Sequence, residues 1–235
     1  MTNLSIRLAA LAVALGAGGC GLISSDVTDF NLDLPDKMFS VDATGWQVDP
    51  TLAQALLSTS CTGDTLCSSA AMQACPMDCT GTCNMTSHTC QLTLDVSLYR
   101  TIDLVTEKPE LASINNEPVI KVTIDSLTYR VPTNTLNVDT PELGVYVAPM
   151  LVMDPKDPQA KRIGTIPPVP AGQTIDAPLA MTFTPTGKAD LVATMNNYKT
   201  PFNFIVGSAL VVQSGQSVPE GKLDALIHIK AHAGL

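Results

Sequence analysis

Six cysteines, Cys61, Cys67, Cys75, Cys79, Cys83 and Cys90, fall within thirty residues of one another, and no other feature of the chain limits its folds so sharply. In an oxidising compartment an even set at this density reads as three disulfides, with 15 pairings left open. The residues between them (Thr62-Gly63-Asp64, Cys75-Pro76, Thr80-Gly81-Thr82) are polar and turn-rich, with few large apolar side chains to pack. Cross-links worth about 2 to 4 kcal/mol each would supply what packing does not. The competing reading is a thiolate metal site, since Cys75, Cys79 and Cys83 are evenly spaced and His88 lies in the same segment. Structural zinc sites favour a close pair followed by a second pair, and an oxidising compartment removes free thiols. We therefore expect no metal and no cofactor here, and a solvated His88.

The compartment is indicated at the N-terminus. Residues 1–5 carry no acidic group, Arg7 is positive, Leu8 to Leu15 form an apolar run, and small residues Gly16 to Gly19 follow. That order of charge, apolar core and small residues is the layout of a signal peptide over residues 1–19. The run is too short to span a bilayer, which takes about 20 apolar residues.

Cys20 stands directly after the small-residue tract and apart from the other six cysteines. The stretch Leu15-Gly16-Ala17-Gly18-Gly19-Cys20 resembles the lipobox of bacterial lipoproteins, with Ala17 where leucine is commonest. The resemblance covers only the first twenty or so residues. It implies that Cys20 is acylated (a palmitate-type modification), becomes the new N-terminus, and holds the protein on a membrane. Acyl chains contribute about 0.8 kcal/mol per buried CH₂, and stable anchoring takes more than one chain, a condition that triacylation would meet. Gly21, where aspartate would retain an enteric lipoprotein at the inner membrane, favours the outer membrane of the cell envelope. Residues 20–28 would form a short lipidated tether, leaving 29–235 as a single domain.

The formal charge is −9, and losing Arg7 with the leader leaves a mature chain near −10. A nucleic-acid partner is not expected, because phosphate binding requires a concentrated basic surface. With 45% hydrophobic and 15% charged residues, the chain has the composition of a globular domain.

Phe30, Leu32 and Leu34 alternate with polar residues, and Phe39 and Val41 repeat the pattern after Pro35, which predicts a strand pair joined at Pro35-Asp36. Asp49 followed by Pro50 predicts a helix start, with Leu52, Ala55 and Leu56 on one face. Beyond Cys90, Leu92, Leu94, Val96 and Leu98 alternate as a half-buried strand. Val122 and Ile124 fall in one phase and Leu127, Tyr129 and Val131 in the other, so a bulge near Asp125-Ser126 is expected to keep both sets inward. Further strands are expected at 145–148, 162–166, 180–183, 202–212 and 223–231, with one helix from Gly187 to Met195. The fold class is therefore mainly β, an antiparallel β-sandwich with one or two short helices and a disulfide-rich insertion at 61–90. In the order of its elements the second half resembles bacterial lipoproteins whose sandwich is immunoglobulin-like or of the late-embryogenesis-abundant type, a likeness of fold that leaves function open.

Catalytic motifs such as a Gly-x-Ser-x-Gly elbow, a His-Glu-x-x-His pair or a phosphate loop do not occur in the sequence. His228 and His232 share one face of the final strand, but four residues along a strand is about 13 Å, too far to share a metal. Asp154 and Asp157 in Met-Asp-Pro-Lys-Asp-Pro are too few for a calcium loop, and Asp29, Asp33 and Asp36 are expected to face water. The expected role is thus that of a membrane-anchored envelope lipoprotein with a structural or protein-interaction function and no enzymatic activity. The alternatives are a carrier of a lipid or other apolar ligand between the sheets, and an enzyme of unrecognised type.

Overall fold

A computed structural model describes residues 30–76, 79–114 and 120–234. The strands are β1 Phe30–Asp33, β2 Lys37–Asp42, β3 Cys79–Asn84, β4 Thr89–Ile102, β5 Lys121–Asn134, β6 Leu143–Pro149, β7 Lys161–Ile166, β8 Ile175–Ala180, β9 Thr182–Phe183, β10 Phe202–Val212 and β11 Lys222–Gly234. The helices are α1 Pro50–Leu57, α2 Asp64–Ala74, α3 Leu104–Glu107 and α4 Gly187–Asn196. Two antiparallel sheets face each other, as the alternating strands predict. In the first, β11 lies between β5 and the pair β1 and β2, with β8 outside β5; the second runs β3-β4-β10-β6-β7-β9.

The N-terminal strands depart from expectation. β1 and β2 do not pair with each other as a hairpin at Pro35-Asp36. Both are antiparallel to β11, β1 over residues 230–233 and β2 over residues 222–227, so they lie end to end along one edge. Pro35 has no N–H to give a ladder, and the interruption is only Leu34 to Asp36. Leu34 keeps the line by donating its N–H to the Ile229 carbonyl at 3.0 Å.

The bulge falls where the phase change places it. Ser126 pairs with Lys230 and Ile124 with Ala231, which leaves Asp125 unpaired. Val122, Ile124, Leu127, Tyr129 and Val131 are all buried as a result. A second register shift, between the Arg130–Leu226 and Thr133–Asp224 pairs, takes in Pro132, which cannot donate to the ladder.

Between the sheets, Phe39 and Phe204 meet with ring centroids 6.2 Å apart, and Leu191 and Met195 of α4 are buried in the same core. A second core forms where β4 outruns the sandwich. Cys90, Leu92, Leu94 and Val96 of β4 pack with Trp46, Ala53, Leu56, Leu57 and Val212, while Ile102 at the other end of β4 belongs to the main core. The cysteine-rich segment is therefore built onto the second sheet through β3 and β4.

Asp49 caps α1 as expected, its carboxylate accepting from the N–H groups of Thr51 and Leu52 at 2.8 and 2.9 Å. The face that α1 buries is Ala53, Leu56 and Leu57, whereas Leu52 and Ala55 point to solvent. The face differs from the expected one because the helix packs on α2 and β4, which select the Ala53 side. Helices α2 and the single turn α3 are additional to the two that the sequence indicates.

Candidate functional site

The cross-linked module is assembled by α1, α2 and the β3–β4 hairpin. On α2, Cys67, Ala71 and Ala74 are the buried residues, spaced as one helical face. The small side chains let the helix lie directly on the β3 backbone: a Cβ at Gly81 would stand 2.2 Å from the Cys67 carbonyl oxygen and 2.7 Å from Ala71 Cβ. Asp64 at the first turn accepts from the Cys83 N–H at 2.8 Å, tying helix to hairpin a second time.

This arrangement resolves the pairing. Cys61 is bonded to Cys83, Cys67 to Cys90 and Cys75 to Cys79. Cys83 and Cys90 face each other across the hairpin, yet each is bonded to a residue outside it, so two cross-links fix the hairpin to the helical layer. The Sγ atoms of Cys61, Cys67 and Cys90 lie within 4.8 Å of one another, which sets these two disulfides side by side in one buried spot. All six clustered cysteines are thereby engaged in disulfides.

His88 has a backbone role in the hairpin turn. Its φ is 52°, its carbonyl accepts from the Cys61 N–H at 2.9 Å, and Asn84 supports the turn by accepting from the N–H groups of Thr86 and Ser87. The exposed His88 ring borders a groove of about 500 Å³ with Ser60, Cys61, Thr62, Gly63, Thr65 and Leu66. The module also leaves Leu66, Met72 and Met85 more than half exposed, at 54%, 67% and 62%.

The histidines of β11 have carboxylate partners that lie far from them in the chain. His228 Nε2 lies 3.0 Å from Asp33 and Nδ1 2.9 Å from Asp36, and Arg130 reaches the second Asp36 oxygen at 2.7 Å. Asp33 and Asp36, expected to face water, thus clasp β11 from either side of Pro35. His232 stands separately, 2.9 Å from the bulged Asp125. The carboxylates face opposite ring nitrogens of His228, an arrangement suited to a clasp rather than to a shared ligand.

Asp154 and Asp157 spend their carboxylates on the backbone, accepting from the N–H groups of Lys156 and Gln159, both at 2.8 Å. They shape two successive turns in the β6–β7 loop. Asp42 makes a similar turn; the Thr44 hydroxyl, and after it the Thr44 N–H, hold its carboxyl below the usual aspartate range. Cys20 and Asp29 lie outside the described residues. Compared with family models, curated proteins and solved structures, the chain matches none.

Proposed function

We propose that this protein is a lipid-anchored protein of the bacterial envelope, held on the membrane through Cys20, whose cross-linked module offers a rigid face to a protein partner. The observation that carries the reading is a module tied by three disulfides that nevertheless exposes Leu66, Met72 and Met85. Exposed leucine and methionine side chains on a surface that cannot rearrange to cover them are open to a protein partner, and methionine is enriched at protein–protein interfaces. A preformed surface also loses less conformational entropy on binding than a loop that must first be ordered. The lipobox-like stretch ending at Cys20 supports anchoring, Gly21 supports the outer membrane, and the negative charge of the chain opposes a nucleic-acid partner. Among the described residues no helix is long and apolar enough to cross a membrane, so the reading assigns attachment to the lipid.

Replacing Cys20 by alanine tests the anchor. The variant is expected to move from the membrane pellet to the soluble fraction, with the exported domain still disulfide-bonded. Retention of Cys20→Ala in the pellet after a salt wash would overturn the reading. For the module, photo-crosslinkers placed in turn at Leu66, Met72 and Met85 in the native envelope are expected to give a discrete protein adduct, and the absence of any adduct at all three would contradict the reading.

A further inference from the structure

The two ends of the sandwich differ, and strand register says which of them carries the tether. Along β11, Lys222 pairs with Asp42 and Ala233 with Phe30, points about 36 Å apart at some 3.3 Å per residue. The chain passes from Asp42 straight to Trp46 and α1, so the module occupies the Lys222 end and Phe30 the other. Strand β10 has the same polarity: Val212 packs in the module, whereas Phe202 pairs with both Pro149 and Ile102. Asn196 joins the two sheets at the Phe30 end, accepting from the Ile120 N–H on its carbonyl and from the Val122 N–H on its side chain shortly before the chain enters β10. The β6–β7 loop therefore leaves its sheet at the end from which the tether departs.

That loop ends in an apolar tip. Leu151 is 86% exposed and Met150 47%, while Val152 between them and Met153 is buried against Ala148 and Ile205. The tip is held firmly in place. The fully buried Asn203 donates to the carbonyls of Met150 and Val152 at 2.8 and 2.9 Å, and the Ser97 hydroxyl donates to that of Met153 at 2.9 Å. Pro155 sits over Gly207, where a Cβ would come within 2.4 Å of its ring. Two large apolar side chains are thus fixed outward with little freedom to fold back.

We propose that Met150 and Leu151 rest in the headgroup region of the bilayer that holds the Cys20 lipid, with the cross-linked module standing at the membrane-distal end. The inference rests on the lipoprotein reading above. The tether sets the occupant: Cys20 to Phe30 is ten residues, at most about 35 Å when fully extended, so the Phe30 end and its loop stay within reach of the bilayer. Apolar side chains entering the interface suit this placement.

The test uses the full-length acylated protein in vesicles of phosphatidylcholine with phosphatidylglycerol, carrying an environment-sensitive fluorophore on a cysteine introduced at Leu151 or, in a second preparation, at Met72. The label at 151 is expected to shift to the blue on vesicle binding and to become several-fold less accessible to iodide, with no change at 72. A label at 151 that stays fully quenchable while the protein floats with the vesicles overturns the docking and leaves the anchor intact. Failure of the unlabelled protein to float overturns the anchor, and the docking with it. A shift at 72 without one at 151 reverses the proposed orientation and contradicts it.

Discussion

The Cys67→Ala, Cys90→Ala double variant is expected to lose about 3 kcal/mol of stability, the figure that chain entropy gives for a loop of this length. The two cysteines are 23 residues apart and both fully buried, so a void is added to the lost constraint and raises the cost. Denaturant unfolding followed by Trp46 fluorescence reports on the right place, since Trp46 is the only tryptophan and belongs to the same core as Cys67 and Cys90. Its indole N–H donates to the Asp95 carbonyl at 2.9 Å, which makes its emission sensitive to the fit between module and β4. Removing the Cys75–Cys79 link, which spans only 4 residues, is expected to cost about 2 kcal/mol or less on the same entropy argument. Equal losses from the two double variants would contradict this account of how the module is held.

Asn203→Leu is expected to be at least as damaging, at about 3 kcal/mol or more, although it replaces one side chain by another of similar volume. Asn203 is fully buried; its amide donates to the Met150 and Val152 carbonyls and its oxygen accepts from the Thr101 hydroxyl at 2.7 Å. Leucine leaves the Val152 carbonyl, whose bond to Asn203 is buried, without a partner and opens the part-buried bonds to the Met150 carbonyl and Thr101 hydroxyl, and a buried polar group so stranded costs about 1 to 3 kcal/mol. Asn203→Asp does not rescue the site, because a carboxylate has no hydrogen to offer two carbonyls. The loss should register in two ways: a lower denaturation midpoint, and faster amide hydrogen exchange confined to the β6–β7 loop. A variant as stable as the parent, or one that loses protection throughout both sheets equally, would count against Asn203 as the clamp on that loop.

The regular strands could be read from the sequence because their burial alternates without interruption. In β11 the odd-numbered residues from Leu223 to Ala233 are buried in turn, and period-2 alternation is a local signal. The bulge at Asp125 was legible for the same reason, since one extra residue in a strand shifts the alternation by one position and leaves that shift in the sequence. Helix α2 was not, because its buried face is Cys67, Ala71 and Ala74: small residues whose periodicity disappears among serines and threonines, and whose size makes sense only beside Gly81. The end-to-end placement of β1 and β2 depends on a strand at the far end of the chain, and the approach of Asp36 to His228 spans 192 residues. Disulfide pairing was hidden in the same way. Spacing gives the number of cross-links, but the choice among partners follows from where α2 lies on the hairpin, which is a fact of tertiary packing.

The candidate site divides along the same line. That the cysteine cluster would be stapled could be seen in its composition, whereas its exposed Leu66, Met72 and Met85, and its position at the end opposite Phe30, required the registers of β10 and β11. Export and acylation rest on residues 1–20 alone, and they decide whether the two ends of the sandwich are membrane-proximal and membrane-distal at all.

The intact mass of the protein extracted from membranes addresses that point most directly. The account predicts a chain beginning at Cys20, heavier by three acyl chains and their glycerol, and lighter by six hydrogens for its three disulfides. An unacylated chain, or one whose N-terminus is a residue other than Cys20, would contradict it.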